Sequence, residues 1–366
     1  MMKTMLTTCI LCLAILAQAH RPIVNPENNL IQVAICLDTS GSMSGLINQA
    51  KSQLWSILNT LSDASLDGQT ARIEMAIYEY GNDRLSAKNG WVIQRSGFTT
   101  DVDKISEILF SMTTNGGEEY CGEVIHQSIT DLEWRKQAGL KVLYIAGNEA
   151  FSQGAFDFRV SCMEASQKGV VINTIYCGDR QEGINTDWEA GAILGKGAFH
   201  HINHNAKTQY VQTPYDDKIS ALNLRLNKTY KLYYGAQGQE KYANQSRQDT
   251  NAGSYSSANA AKRAIYKSKK QYNNAEWDLV DAYREKQEVI EDEEQLPPAL
   301  KDKSKKEIVK EIKALYNERT AIQEEISELA KKREAYVQKA GAKNESSLGA
   351  AMKKSARCLL SDNGFE

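Results

Sequence analysis

The stretch Val33-Ala34-Ile35-Cys36-Leu37-Asp38-Thr39-Ser40-Gly41-Ser42 decides the fold. A short apolar run rich in branched side chains stops at an aspartate, and two serines follow at alternate positions around a glycine. Beyond it Leu46, Ile47, Ala50, Leu54, Ile57, Leu58 and Leu61 recur at helical spacing. The first part predicts a buried strand and the last an amphipathic helix. The turn between them then lies at the carboxyl end of the strand, where open α/β sheets bind ligands. Asp38, Ser40 and Ser42 are hard oxygen donors that one tight turn can aim at a single point. That suits Mg²⁺, with its near-octahedral oxygen shell. The same residues also read as a helix start capped by Ser42 or Ser44, with no metal.

Outward from this turn, strand and helix patterns alternate. Residues 71–80 alternate as a strand with Ile73, Met75 and Ile77 on one face, Gly81-Asn82-Asp83 reads as a turn, and residues 91–94 predict a strand pairing back as a hairpin. Helical spacing follows over 101–112, then a glycine-containing loop from Thr113 to Cys121, then a helix carrying Val124, Ile125, Ile129 and Leu132. Apolar runs at 142–146, 170–176 and 198–202 predict three more strands. Helices are expected at 156–167, 187–194 and 218–226. The expected fold is α/β: a doubly wound, mainly parallel six-stranded sheet with one antiparallel edge strand, covered on both faces.

Asp38-Thr39-Ser40-Gly41-Ser42 matches the Asp-x-Ser-x-Ser signature of von Willebrand factor type A (VWA) domains, which opens the family's metal-ion-dependent adhesion site (MIDAS). The chain resembles that family in element order from about residue 29 to about 228, and motif by motif at the first loop. The resemblance implies that a second loop supplies a threonine and a third an aspartate. In the second loop Thr113 and Thr114 are the available hydroxyls. Glu119 stands where a related glycine-run pattern has its threonine. Glu119 either coordinates directly or is solvated with Glu118 at a helix start, where the dipole favours it. In the third loop the usual apolar-Thr-Asp-Gly reads Ile145-Ala146-Gly147-Asn148-Glu149, with Gly147 in the place of the aspartate. Asn148 or Glu149 would then reach in through a water. The implied ligands are Asp38, Ser40, Ser42, Thr114, Glu119 and Asn148, around Mg²⁺, Mn²⁺ or Ca²⁺, with a partner protein's carboxylate at the open position. The stretch Gly147-Asn148-Glu149-Ala150-Phe151-Ser152-Gln153-Gly154, with Glu119-Tyr120-Cys121-Gly122, also resembles a loop of exported bacterial VWA proteins of unassigned function and points to no activity.

The 366 residues suffice for about two domains, and 42% hydrophobic with 25% charged residues is ordinary globular composition. A net charge of −2 argues for neither a nucleic-acid nor an anionic-membrane partner. Residues 1–19 read as a signal peptide: Lys3 is basic, residues 10–17 are apolar, and Ala17-Gln18-Ala19 fits a cleavage site. The apolar run is shorter than the roughly 20 residues a membrane span needs. An exported protein, periplasmic or extracellular, with no span after cleavage is therefore expected. Its cysteines are free to oxidise. Cys121, Cys162 and Cys177 fall near strand ends, so a Cys121–Cys162 disulfide would staple the second loop to the helix after the third. Cys36 reads as a buried small apolar residue. His200 and His201 point to opposite faces of a strand and do not share one ion.

The remaining segments divide by composition. Residues 20–28 form a linker with Pro22 and Pro26, and 229–257, rich in Gly, Ser, Asn and Gln, reads as a partly ordered connector. Over 258–340, apolar residues at heptad-like spacing lie on either side of Pro297-Pro298, with Arg319 and Arg333 in two of the slots. This predicts a helical hairpin or coiled coil, or equally a stripe docked on the VWA domain. Residues 341–366 read as a loose tail with an amphipathic piece at 348–360. The expected function is a non-enzymatic protein-binding module of the cell envelope that uses the metal site. The alternatives are a metal-free scaffold self-associating through 258–340, and a hydrolase with Glu119 or Glu149 as base.

Overall fold

A computed structural model describes residues 28–233, 235–340 and 346–366. The expected signal peptide and most of the linker after it lie outside these residues. The strands are β1 (Leu30–Asp38), a small hairpin of β2 (Ser65–Leu66) and β3 (Gln69–Thr70), then β4 (Arg72–Tyr80), β5 (Val92–Thr99), β6 (Leu140–Gly147), β7 (Val171–Tyr176) and β8 (Lys196–His201). Six of them form one sheet in the order β5-β4-β1-β6-β7-β8, parallel throughout except for β5, which runs antiparallel to β4 at the edge. The expected α/β architecture is therefore present. Every residue of β1 is buried, as a central strand covered on both faces requires. Its register sets Asp38 opposite Tyr80 of β4 and Leu37 opposite Ala146 of β6, so three strand ends meet at one rim.

One face carries α3 (Cys121–Asp131), α4 (Phe158–Gln167) and α6 (Trp188–Leu194), packed over Ala34, Cys36, Tyr78, Leu143 and Ile145. The other carries α1 (Ser44–Ser62), α2 (Val102–Ser111) and α7 (Asp216–Lys228), and its core continues without a break into residues beyond 250. A short α5 (Arg180–Asn185) precedes α6.

The C-terminal third departs from the expected division. The region read as a connector contains α8 (Gly235–Tyr255), a full helix. Apart from Ala252 its inward residues are polar, so it carries no apolar stripe. Asn244, Gln245 and Gln248 are buried, Gln248 accepts from Ser106 of α2 at 2.7 Å, and Asp249 accepts from Arg263 and Lys267. The first half of the expected hairpin is not one helix. It divides into α9 (Ser257–Lys267), α10 (Leu279–Glu285) and a 3-10 turn at Gln287–Glu291; the four-residue α11 (Pro298–Lys301) follows the Pro-Pro step. The heptad run does form one helix, α12 (Lys305–Lys339), opened by a capping box of Ser304 and Glu307.

The stripe of α12 packs on its own chain. Ile322, Ile326 and Leu329 join the sheet-covering core. Arg319 is buried and bonds Asp278 at 2.7 Å, Asp281 at 2.8 Å, and the hydroxyl and carbonyl of Thr229 at 3.0 and 2.8 Å. Arg333 meets Asp216 at 2.8 Å. The two cations in the heptad are thus joints to the α/β half, and the seam proposed for self-association is occupied internally.

The tail is structural as well. Helix α13 (Leu348–Asp362) lies on α1 and buries Leu348, Met352 and Leu360 in the same core. Gln49 and Gln53 of α1 accept the N–H groups of Leu348 and Gly349 at 2.8 and 2.5 Å, answering donors that a helix start otherwise leaves unpaired. Among the described residues no helix is long and apolar enough to cross a membrane.

Candidate functional site

The site is the rim where β1, β4 and β6 end. Asp38 is fully buried there, and its Oδ1 accepts the Ser40 N–H at 2.7 Å. The turn is pinned from the β4 side: Thr39 N–H donates to the Tyr80 carbonyl at 2.8 Å, and the Thr39 hydroxyl donates to Glu79 at 2.9 Å. The Ser40 and Ser42 hydroxyls lie 3.5 Å apart, and Ser42 Oγ donates to Asn148 Oδ1 at 3.4 Å. Asp38, Ser40, Ser42 and Asn148 therefore gather as expected.

Glu119, at the N-terminal approach to α3, is buried and joins them. A Cβ on Gly81 would sit 2.8 Å from Asp38 Oδ1 and 2.9 Å from Glu119 Cγ, so both side chains converge beside that glycine. Gly81 has φ +79°, a conformation that also favours glycine. Burial pushes the Asp38 carboxyl up to about 8. Bonds from Ser40 oppose the shift, and the charges of Glu119 and Glu149 add to it. Glu119 is raised to about 7 by burial and then by Glu149, against a hydrogen bond with Ser40. Several carboxyls thus crowd this rim and raise one another.

Thr114 is half-buried in the second loop, and no bond joins it to the other candidates. Its loop docks on the first through the Asn115 N–H, which donates to the Thr39 carbonyl at 3.0 Å, and through Gly116, packed against Gly41.

The third loop lacks its aspartate for a physical reason. A Cβ at Gly147 would lie 2.5 Å from Tyr80 Oη and 3.0 Å from Asp38 Oδ2. The Tyr80 hydroxyl fills that space and donates to the Ala146 carbonyl at 3.1 Å. Sequence reading missed Tyr80 because, as the last residue of a strand, it reads as ordinary core.

The proposed disulfide is absent. Cys121 and Cys162 are free thiols, both buried in the core of the α3–α4 face. Burial raises Cys121 well above the usual thiol range and Cys162 up to about 12. They act as small apolar residues.

The donor set here suits a divalent ion. Asp38 Oδ2 is buried with no hydrogen-bond partner among the described residues, an arrangement native proteins rarely leave uncompensated. The neighbouring donors are all oxygens, which Mg²⁺, Mn²⁺ and Ca²⁺ accept. Among the described residues no three His, Cys, Asp or Glu side chains cluster as a metal site, so the set must mix carboxylate with hydroxyl oxygens. The residues fit on those terms.

No protein-family model and no curated protein sequence matches the chain. Among solved structures it is similar to the conserved hypothetical protein BatB of Bacteroides thetaiotaomicron, at 14% identity and a TM-score of 0.36, over 47% of this chain and 90% of that one. It is also similar to the SpRpn10 VWA domain, at 15% identity and 0.36, over 47% and 88%. A third likeness is to mussel byssus proximal thread matrix protein 1 with a zinc-occupied MIDAS motif, at 16% and 0.34, over 47% and 41%. These overlaps add nothing to the strand order and the rim loop. On that order and that loop, β1 through α7 resembles a VWA domain in its element order.

Proposed function

We propose that the rim is a divalent-cation clamp through which the protein docks a partner protein, without catalysis. The observation that carries this reading is Asp38 Oδ2, buried and unpartnered beside the hydroxyls of Ser40 and Ser42. Asp38, Ser40 and Ser42 would hold Mg²⁺ or a similar ion directly, with Glu119 next and Thr114 and Asn148 at the margin. When bound, such an ion supplies positive charge that joins these oxygens to a carboxylate of the partner. The chain's own part is positioning. The Ser40 N–H orients the Asp38 carboxyl, Asn148 holds the Ser42 hydroxyl, and the Thr39 bonds to β4 keep the turn rigid. Export to the periplasm or cell exterior belongs to the same proposal and rests on the leader-like residues 1–19.

Titration calorimetry with Mg²⁺, Mn²⁺ and Ca²⁺ on the wild type and Asp38→Ala tests the clamp. Saturable binding lost in the variant supports it, and equal heats in both proteins sink it. Capture of a partner from envelope extract, lost on adding chelator, tests the docking role.

A further inference from the structure

A second site lies away from the rim. Helices α1, α9, α12 and α13 enclose a cleft of about 600 Å³ lined by Lys262, Arg333, Lys353, Lys354 and Arg357, with Ser56 among them. We propose that this cleft binds an anion bearing phosphoryl groups.

The charge balance argues for it. The chain as a whole is at −2, yet five cations gather here. The acidic groups that face them are Glu334 of α12 and Asp216 of α7. Asp216 is already committed to Arg333 and to Thr213 at 2.8 Å each. Among the described residues Lys262, Lys353, Lys354 and Arg357 have no ion pair. Lys353 Nζ donates only to Ser56 Oγ, at 3.2 Å, and Lys262 Nζ lies 5.9 Å from the Tyr210 ring centre. Burial, then Lys353 and Arg333, lowers the Lys262 amine to about 8. Lys262 and Lys353 are half-buried and Lys354 and Arg357 exposed at the mouth, and cations drawn partly out of water ordinarily find a counter-charge. Lys353 and Arg357 also stand four residues apart on α13, a spacing at which like charges repel.

The donors are ammonium and guanidinium groups with a hydroxyl, converging from four helices. One carboxylate offers too little charge and too few oxygens to answer them, whereas a phosphoryl group offers both. The volume is that of a small-molecule site. The shared chemistry is met by a free phosphorylated molecule or by a phosphate headgroup.

Inorganic pyrophosphate titrated into the full-length chain in chelator tests the site with no rim cation present. Saturable binding is expected, weakening as salt is raised, with an increase in Tm. Lys262→Gln and Lys353→Gln should each weaken it about tenfold, the loss expected for one charge-assisted hydrogen bond. Arg357→Gln, at an exposed position, should do the same without lowering the Tm of the free protein, since it also removes a like charge from Lys353. This variant separates binding from folding. No saturation at millimolar pyrophosphate, or affinity undiminished in Lys262→Gln and Arg357→Gln, overturns the proposal. Sedimentation with phosphatidylcholine vesicles containing phosphatidic acid distinguishes the source. Lys262-dependent sedimentation assigns a headgroup, pyrophosphate binding without sedimentation assigns a free ligand, and sedimentation indifferent to Lys262→Gln counts against the cleft.

Discussion

Replacing Arg319 by Met asks whether α12 is a joint or a free coil. In the fold the guanidinium is 3% exposed beside carboxylates 0% and 8% exposed. Burial works against its charge, but Asp278 and Asp281 outweigh burial and hold its pKa above the usual guanidinium value. Four hydrogen bonds tie it to Asp278, Asp281 and Thr229. Met fills much of the volume and keeps an apolar heptad slot. It leaves Asp278 buried without a cation and Asp281 with only Arg284, 3.9 Å away, and breaking a buried pair in this way costs about 3–5 kcal/mol. A solvated coiled coil predicts the opposite, since an exposed ion pair is worth at most about 1 kcal/mol and Met suits the stripe. Urea unfolding should show the midpoint lowered by that loss divided by the slope, with the slope itself unchanged. Adding Asp281→Asn to Arg319→Met should recover part of the loss, because one unpaired charge is gone. A loss under about 1 kcal/mol for Arg319→Met would refute the docked arrangement.

Further outcomes follow from the rim and the thiols. Gly147→Ala should cost about 1–3 kcal/mol by overpacking, since its methyl would press on Tyr80 Oη; Tyr80→Phe in the same chain should return part of it on denaturant curves. Asp38 and Glu119 are raised by burial to about 8 and about 7. A raised carboxyl stabilises the fold below its unfolded value near 4, and that stability is lost as pH rises through the folded value. In chelator, stability should therefore fall between pH 4 and 8, and Asp38→Asn should flatten the fall. Calorimetric Mg²⁺ affinity should rise over pH 6–8 with release of protons, because ligands must deprotonate. In a chain beginning at residue 20, a thiol reagent should titrate Cys358 alone in native buffer. Cys36, Cys121, Cys162 and Cys177 should react only after unfolding.

The sheet was legible because its strands are continuous apolar runs, the mark of strands covered on both faces, and Asp38 ends one of them. The rim donors Asp38, Ser40 and Ser42 were legible because chain geometry places a strand end and its turn together, whereas Asn148 came only from what the resemblance implies for the third loop. What fills the third loop was not, because Tyr80 reaches Gly147 through space across the end of β1, from a strand that does not pair with its own. Helix α8 was hidden for a different reason. Its inward face is mostly Asn244, Gln245, Gln248 and Asp249, with Ala252 its one small apolar member, so apolar periodicity has little to detect. Its hold is the pairing of Asp249 with Arg263 and Lys267, contacts formed only in the assembled fold. Arg319 and Arg333 did carry a signal. Two cations in an apolar stripe require carboxylates opposite, and their own chain supplies them.

Helix α13 covers α1, yet about three hundred residues of chain separate them. Gln49 and Gln53 wait on the ribosome for the N–H groups of Leu348 and Gly349. Contacts of such long range form slowly. A nascent chain of this design therefore leaves α1 without its outer cover until synthesis nears residue 362.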